Sequence, residues 1–197
     1  VLRPVPRPPE PLRRYVALFI ITALTTTLAG ALHYWAYQHG FNPVDVRITP
    51  GMLLSGLWYS VSILAILGAH EFGHYYACRY YGVDPSLPYF LPVPFLLAGT
   101  LGAFIRIRQQ IPTKRALFDI GIAGPIAGFV VVVPVLMIGM YLSQVIQVPK
   151  DFEGQVYELG EPLLFKVAAW LTFGRLPEGY MVNMHPVAFA AWFGMLA

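Results

Sequence analysis

Long apolar runs alternate with short polar, proline-bearing stretches along this chain. Tyr15 to Tyr37 contains no Asp, Glu, Lys or Arg. A helix crosses the hydrocarbon core with about 20 apolar residues, so this run predicts a first transmembrane span. Residues 38 to 51 turn polar, with Gly40, Asn42, Pro43 and Pro50 as breakers. A second apolar run extends from about Met52 to Tyr81 and stops at Gly82. The third span is expected over Ile120 to Val148, with Asp119 capping its start and Gly124-Pro125 breaking or bending its first turns. A last run starts near Met184 and continues to Ala197. The pattern therefore predicts an all-α polytopic membrane protein with about four transmembrane helices, the last one cut.

The stretch between the second and third spans breaks this rule. Pro85, Pro88, Pro92, Pro94 and Pro112 forbid a continuous helix, yet Leu87 to Ile105 is almost wholly apolar. Non-helical backbone at membrane depth must be buried in protein or line a wet cavity. Gly99 to Arg108 ends in strand-like alternation, so a re-entrant hairpin is expected over residues 97 to 108, with a greasy interfacial loop as the plainer alternative. Residues 149 to 180 read as a polar connection with one amphipathic stretch, Leu163 to Phe173, expected on the membrane surface around Lys166. Gly121, Gly124 and Gly128 have the small-residue spacing that lets another helix approach closely.

Composition agrees with a membrane setting. The chain is 57% hydrophobic and 12% charged, with mean hydropathy +0.60, against about 25% charged residues in an ordinary soluble domain. A net charge of +3 calls for no nucleic acid. The single cysteine, Cys78, excludes an internal disulfide framework. Residues 1–14 hold five prolines and four arginines and read as an extended linker before a membrane-embedded core over residues 15–197. Those arginines, and Arg79, Arg106, Arg108, Lys114 and Arg115 between the second and third spans, put the N-terminus and residues 82 to 118 on the cytoplasmic side.

The candidate chemistry lies in the second apolar run, as His70-Glu71-Phe72-Gly73-His74. Residues i and i+4 share one helix face. His70 and His74 can thus offer two imidazoles to one zinc ion, with Glu71 placed as general base toward a water that the ion activates. Ionisable groups in an apolar span are costly, which argues against two histidines and a glutamate that only pack there. Catalytic zinc takes three protein ligands. Cys78 lies about 12 Å along a helix from His70, too far to share the ion, and reads as a packing residue. His185 fits a turn and His33 an interface. The third ligand is expected beyond Ala197; the chain starts at Val1 and ends inside an apolar run, so both ends read as cut.

These residues resemble the site-2 protease family of intramembrane zinc metalloproteases. The resemblance is carried by His70-Glu71-Phe72-Gly73-His74, by Gly99-Thr100-Leu101-Gly102-Ala103-Phe104 and by Phe118-Asp119-Ile120-Gly121-Ile122-Ala123-Gly124-Pro125, and is greatest to the plastid and bacterial branch. It implies one Zn²⁺ per chain, held by His70 and His74, with Glu71 catalytic. It implies a third ligand from the Asp of a later Leu-Asp-Gly motif, absent from these residues, with His185-Pro186-Val187-Ala188-Phe189-Ala190 resembling the lead-in to an Asn-x-x-Pro segment. It further implies hydrolysis of a peptide bond in or near a transmembrane segment of a membrane-protein substrate, within a bacterial plasma membrane or a plastid membrane. Gly99, Thr100, Leu101, Gly102, Ala103 and Phe104 are the expected substrate-binding stretch, because an edge strand can pair with an unwound substrate helix. The alternative is an inactive membrane scaffold or metal-binding module, which the missing Leu-Asp-Gly favours and the intact Glu71 opposes. A metal or proton transporter would need ionisable residues on several spans, and the other spans offer almost none.

Overall fold

The computed structural model describes residues 11–41, 45–46, 49–149, 160 and 162–196. The linker expected over residues 1–14 lies outside the described residues up to residue 10, and its end already belongs to the first helix. That helix, α1, is Leu12–His39. A short α2, Pro50–Ser55, is capped by the Thr49 side chain and leads through Gly56 into α3, Leu57–Tyr80. The third long helix, α4, is Lys114–Leu142. Helix α1, the α2–α3 segment and α4 are long and apolar enough to cross a membrane. The last run gives α6, Pro186–Gly194, nine residues in length.

Two features of α4 differ from expectation. It starts at Lys114 and not at Ile120, because Thr113 supplies the cap: its hydroxyl accepts the Ala116 N–H at 3.1 Å. Asp119 therefore sits inside the helix and caps nothing. The helix also runs through Pro125 and Pro134 without interruption. It ends at Leu142, and residues 144–147 leave it as strand β3, Gln144–Gln147. This strand pairs antiparallel with β4, Tyr180–Asn183, just before α6.

Helix α1 packs on α3 through backbone. A Cβ on Gly56 would fall 2.0 Å from the Thr27 carbonyl, and one on Gly30 2.4 Å from the Gly56 carbonyl. The hydroxyls in this seam are satisfied locally: Thr22 bonds the Leu18 carbonyl at 2.8 Å, and Thr26 bonds the Thr22 carbonyl at 2.7 Å and meets Ser60 Oγ at 2.8 Å. Helices α3, α4 and α6 enclose a core of Ile66, Val132, Leu136, Met140, Ala188 and Ala191. The amphipathic stretch forms α5, Leu163–Phe173. Phe165 and Ala168 enter this same core, while Leu163, Val167, Trp170 and Leu171 stay exposed. The docking face is apolar, and the exposed face carries Lys166 among Leu163, Val167, Trp170 and Leu171.

The proline-rich stretch folds as a hairpin of β1, Tyr89–Pro92, and β2, Thr100–Phe104, paired antiparallel. It begins earlier than residues 97 to 108, since its first arm is needed for pairing. An isolated bridge between Pro85 and Ile107 closes its base. Its tip is fastened between α1 and α3. The Tyr59 hydroxyl donates to the Ala98 carbonyl at 3.1 Å, and His33 Nε2–H donates to the Leu97 carbonyl at 2.7 Å. Gly99, at φ +68°, lies so close to α1 that a Cβ would stand 2.7 Å from the Thr25 carbonyl. Tyr59 and Glu71 are separated by about 18 Å of helix at 1.5 Å per residue. The hairpin thus lies along α3 for about 18 Å, more than half of a ~30 Å hydrocarbon core.

Candidate metal centre

His70 and His74 lie on the α3 face that meets α4. Their Nε2 atoms are 3.1 Å apart. Two zinc–nitrogen bonds of about 2.0–2.1 Å at a tetrahedral angle put their nitrogens ~3.3 Å apart, so this pair converges as one ion requires. The tautomer of His74 follows from its other nitrogen. Nδ1 lies 2.7 Å from the carbonyl oxygen of Ile120, which only accepts, so Nδ1 carries the proton and Nε2 keeps its lone pair. Orientation of a ligating imidazole by a backbone carbonyl is the usual outer support of such sites.

Helix α4 makes room for both rings. A Cβ on Gly124 would stand 2.1 Å from His74 Nε2, and one on Gly128 would stand 3.4 Å from His70 Nδ1. The close approach expected of the glycine series is real at these two positions, and its partners are the two histidines. Gly121 faces open space. The converse holds on α3, where Gly73 admits the backbone of α4: a Cβ there would be 2.5 Å from the Ala123 carbonyl.

Glu71 is buried, 7% exposed. It faces the hairpin, and the backbone N–H of Ile105 points to its carboxylate. The strand geometry explains this contact. The Arg106 carbonyl accepts the Ser86 N–H at 2.8 Å, and the Arg108 N–H donates to the Asp84 carbonyl at 3.0 Å. Arg106 and Arg108 therefore address the first arm. By alternation Ile105 turns its backbone to the opposite edge, and so does Ala103. That outer edge of β2 lies on the Glu71 side.

The remaining candidates separate clearly. Cys78 is fully buried with Val83 and Ile120. His185 is the N-cap of α6, its Nδ1 accepting the Val187 N–H at 3.3 Å. Gly99 is spent on the hairpin tip, with its carbonyl on Val93 N and its N–H on the Leu96 carbonyl. The Thr100 hydroxyl is used inside the hairpin, at 2.8 Å from the Leu91 carbonyl. Leu101 and Phe104 project outward, at 66% and 44% exposure. Between hairpin, α3 and α6 lies an apolar groove of about 490 Å³ lined by Ile63, Leu67, Leu97, Leu101, Phe193 and Leu196. Among the described residues no third His, Cys, Asp or Glu joins the histidine pair. Sequence reasoning missed the two backbone partners, Ile120 and Ile105. The glycine spacing did carry a signal: glycines four apart on one helix match histidines four apart on another.

The family model for peptidase family M50 matches residues 58–195. The chain is 32% identical over 162 residues to a probable chloroplastic zinc metalloprotease, EGY1, of Oryza sativa subsp. japonica, covering 78% of this chain and 26% of that protein. To the protein of the same name from Arabidopsis thaliana it is 27% identical over 189 residues, 91% of this chain and 33% of the relative. To a probable chloroplastic zinc metalloprotease, EGY2, of Oryza sativa subsp. indica it is 32% identical over 149 residues, 74% of this chain and 26% of the relative. It thus spans about a quarter to a third of the length of these relatives. No solved structure matches it significantly. With the family model covering well over half of its residues, and with the His-Glu-x-x-His helix inside the match, this chain belongs to peptidase family M50, the site-2 proteases.

Proposed function

We propose that this chain is the core of an intramembrane zinc metalloprotease, in which His70 and His74 hold the metal and Glu71 is the general base. The observation that carries the reading is the convergence of the two Nε2 atoms, 3.1 Å apart, with the His74 tautomer set by Ile120. The third protein ligand comes from outside the described residues, and the family resemblance implies an aspartate of a Leu-Asp-Gly motif. Zinc, when bound, supplies Lewis-acid polarisation of the scissile carbonyl and brings the pKa of a water toward ~7.

The chain's own residues do the rest. Glu71 takes the proton of the attacking water and passes it to the leaving amine. Its burial on an apolar helix keeps bulk water from competing for the carboxylate. The substrate is a membrane protein cut in or near a transmembrane segment. Such a segment must unwind to expose a carbonyl, and its freed N–H and C=O groups need partners in lipid. The outer edge of β2 at Ala103 offers them by strand addition beside Glu71. Leu101, Gly102 and Phe104 contact the added strand, while Gly99 and Thr100 hold the tip that positions it. The bilayer is that of a plastid or a bacterium, and the chloroplastic relatives support the plastid.

The test uses full-length protein in liposomes with a membrane-anchored substrate. Glu71→Gln is expected to keep its zinc and lose cleavage. His70→Ala with His74→Ala is expected to lose both. Unchanged zinc in the double variant, or wild-type cleavage by Glu71→Gln, overturns the reading.

A further inference from the structure

The three spans contain only two acidic residues, Glu71 and Asp119. Glu71 belongs to the site, whereas the helix start that Asp119 was suited to cap is capped by Thr113. An ionisable group retained in a spanning helix calls for a partner. Asp119 has two. The Tyr81 hydroxyl donates to its Oδ2, and Arg115, one turn earlier on α4, approaches the same oxygen at 3.8 Å. Tyr81 is the residue that closes α3. It follows His74 by seven positions, so both lie on the same side of α3, two turns apart.

The next residue of α4 after Asp119 is Ile120, whose carbonyl takes His74 Nδ1–H at 2.7 Å. Two adjacent residues of α4 thus grip two residues of one α3 face. Between the grips, the Ile120 side chain packs on Cys78 and Val83. Three contacts of different kinds fix both the rotation and the rise of α4 relative to α3. A carbonyl that must meet one imidazole nitrogen tolerates little sliding, since hydrogen bonds weaken steeply with misalignment.

We propose that Tyr81 and Asp119 form a positioning latch. Their hydrogen bond holds the start of α4 in register, so that the Ile120 carbonyl fixes the tautomer and aim of His74. Arg115 approaches the same Asp119 oxygen but is itself exposed and secondary. This inference rests on the proposal that His70 and His74 hold zinc. Tyr81 lies two turns from His74, so the latch acts through Ile120 and not on the metal directly.

The test uses full-length protein loaded with zinc, and in parallel with Co²⁺ as a spectroscopic probe. Outer-shell changes of this kind cost about 10- to 100-fold in metal affinity. Tyr81→Phe and Asp119→Asn are each expected to speed zinc transfer to a chromogenic chelator by about 10-fold or more, and to shift the visible Co²⁺ bands. The double variant is expected to match the singles, because one interaction is lost once. Arg115→Ala is expected to change the transfer rate less than either. Wild-type transfer rates and unshifted bands in both single variants overturn the latch. So does faster transfer with unshifted bands and a matching fall in the thermal stability of the metal-free protein, which marks general loosening of the helix pair. If wild-type protein binds no zinc, or the His70→Ala, His74→Ala protein binds as much, the metal-site proposal fails, and the latch fails with it for a different, recognisable reason.

Discussion

Alanine at each of three glycines on α4 separates ligand crowding from helix packing. A Cβ on Gly124 would lie 2.1 Å from His74 Nε2, 2.4 Å from Cδ2 and 2.5 Å from Cε1. Reaching an ordinary 3.4 Å contact from 2.1 Å requires a shift of about 1.3 Å of the ring or the helix. Metal–ligand distances tolerate only about ±0.2 Å, so His74 leaves the site before α4 yields. At Gly128 the nearest His70 atoms are already at 3.4 Å, and at Gly121 nothing lies within 4 Å. Alanine in place of a helix glycine gains up to ~1 kcal/mol of helix propensity, whereas overpacking costs about 1–3 kcal/mol. Gly121→Ala is therefore expected to raise thermal stability slightly and leave zinc unchanged. Gly128→Ala is expected to keep most of its zinc. Gly124→Ala is expected to lose zinc by at least 100-fold in affinity while remaining folded. Zinc content by atomic absorption, chelator competition and thermal unfolding on the same full-length preparations check this. Wild-type zinc affinity in Gly124→Ala refutes the placement of His74 against α4.

Other predictions address the hairpin and the orientation. Ala103→Pro removes the outward N–H of β2 and is expected to slow cleavage at least 10-fold with zinc intact, whereas Ala103→Val keeps the amide and most activity; equal rates for the two count against strand addition. Tyr59→Phe deletes the hydroxyl that holds the Ala98 carbonyl and is expected to cost about 1 kcal/mol of stability, measured by thermal unfolding, with faster proteolysis near the hairpin tip. Single cysteines at Gln109 and Gln144 are expected to label from opposite sides of the membrane, since α4 separates them; Cys78 is fully buried and serves as a silent background. Labelling of both from one side contradicts a spanning α4, and labelling of Gln109 from the non-cytoplasmic side contradicts the orientation read from the basic residues.

The helices were legible because apolar runs report burial in lipid directly. The histidine pair was legible because the 3.6-residue repeat alone puts residues four apart on one face. The hairpin was legible only in part. Prolines excluded a helix and Gly99 and Gly102 marked the second arm, but Tyr89–Pro92 reads like any proline-flanked apolar stretch until its partner is known. Asp119 misled for a local reason. An acid just before an apolar run is a good cap, yet Thr113 is a better one, and the turn it starts contains Lys114 and Arg115, so these two basic residues lie in α4 and not in the loop before it. What joins Ile120 to His74 and Ile105 to Glu71 is backbone, and backbone groups carry no letter in a sequence.

Those backbone contacts explain how an apolar fold accommodates the site. Two imidazoles and a carboxylate inside a span cost several kcal/mol each unless they are hydrogen-bonded. Spanning helices leave few groups to spare, since each N–H is normally taken by a carbonyl four residues back. Here one partner is the Ile120 carbonyl, whose second lone pair remains free inside a helix and is reached because Gly124 brings α4 close. The other is the Ile105 N–H, which is available because β2 has only one neighbouring strand. The hairpin thus also shapes the surroundings of Glu71. Its open edge turns the Ile105 N–H toward Glu71, and the strand addition proposed above would extend that edge. On the proposed reading, moving the hairpin off α3 disturbs Glu71 and the edge offered to substrate together. Tyr59→Phe, although far from the histidines, is accordingly expected to lower kcat while leaving zinc content at the wild-type level.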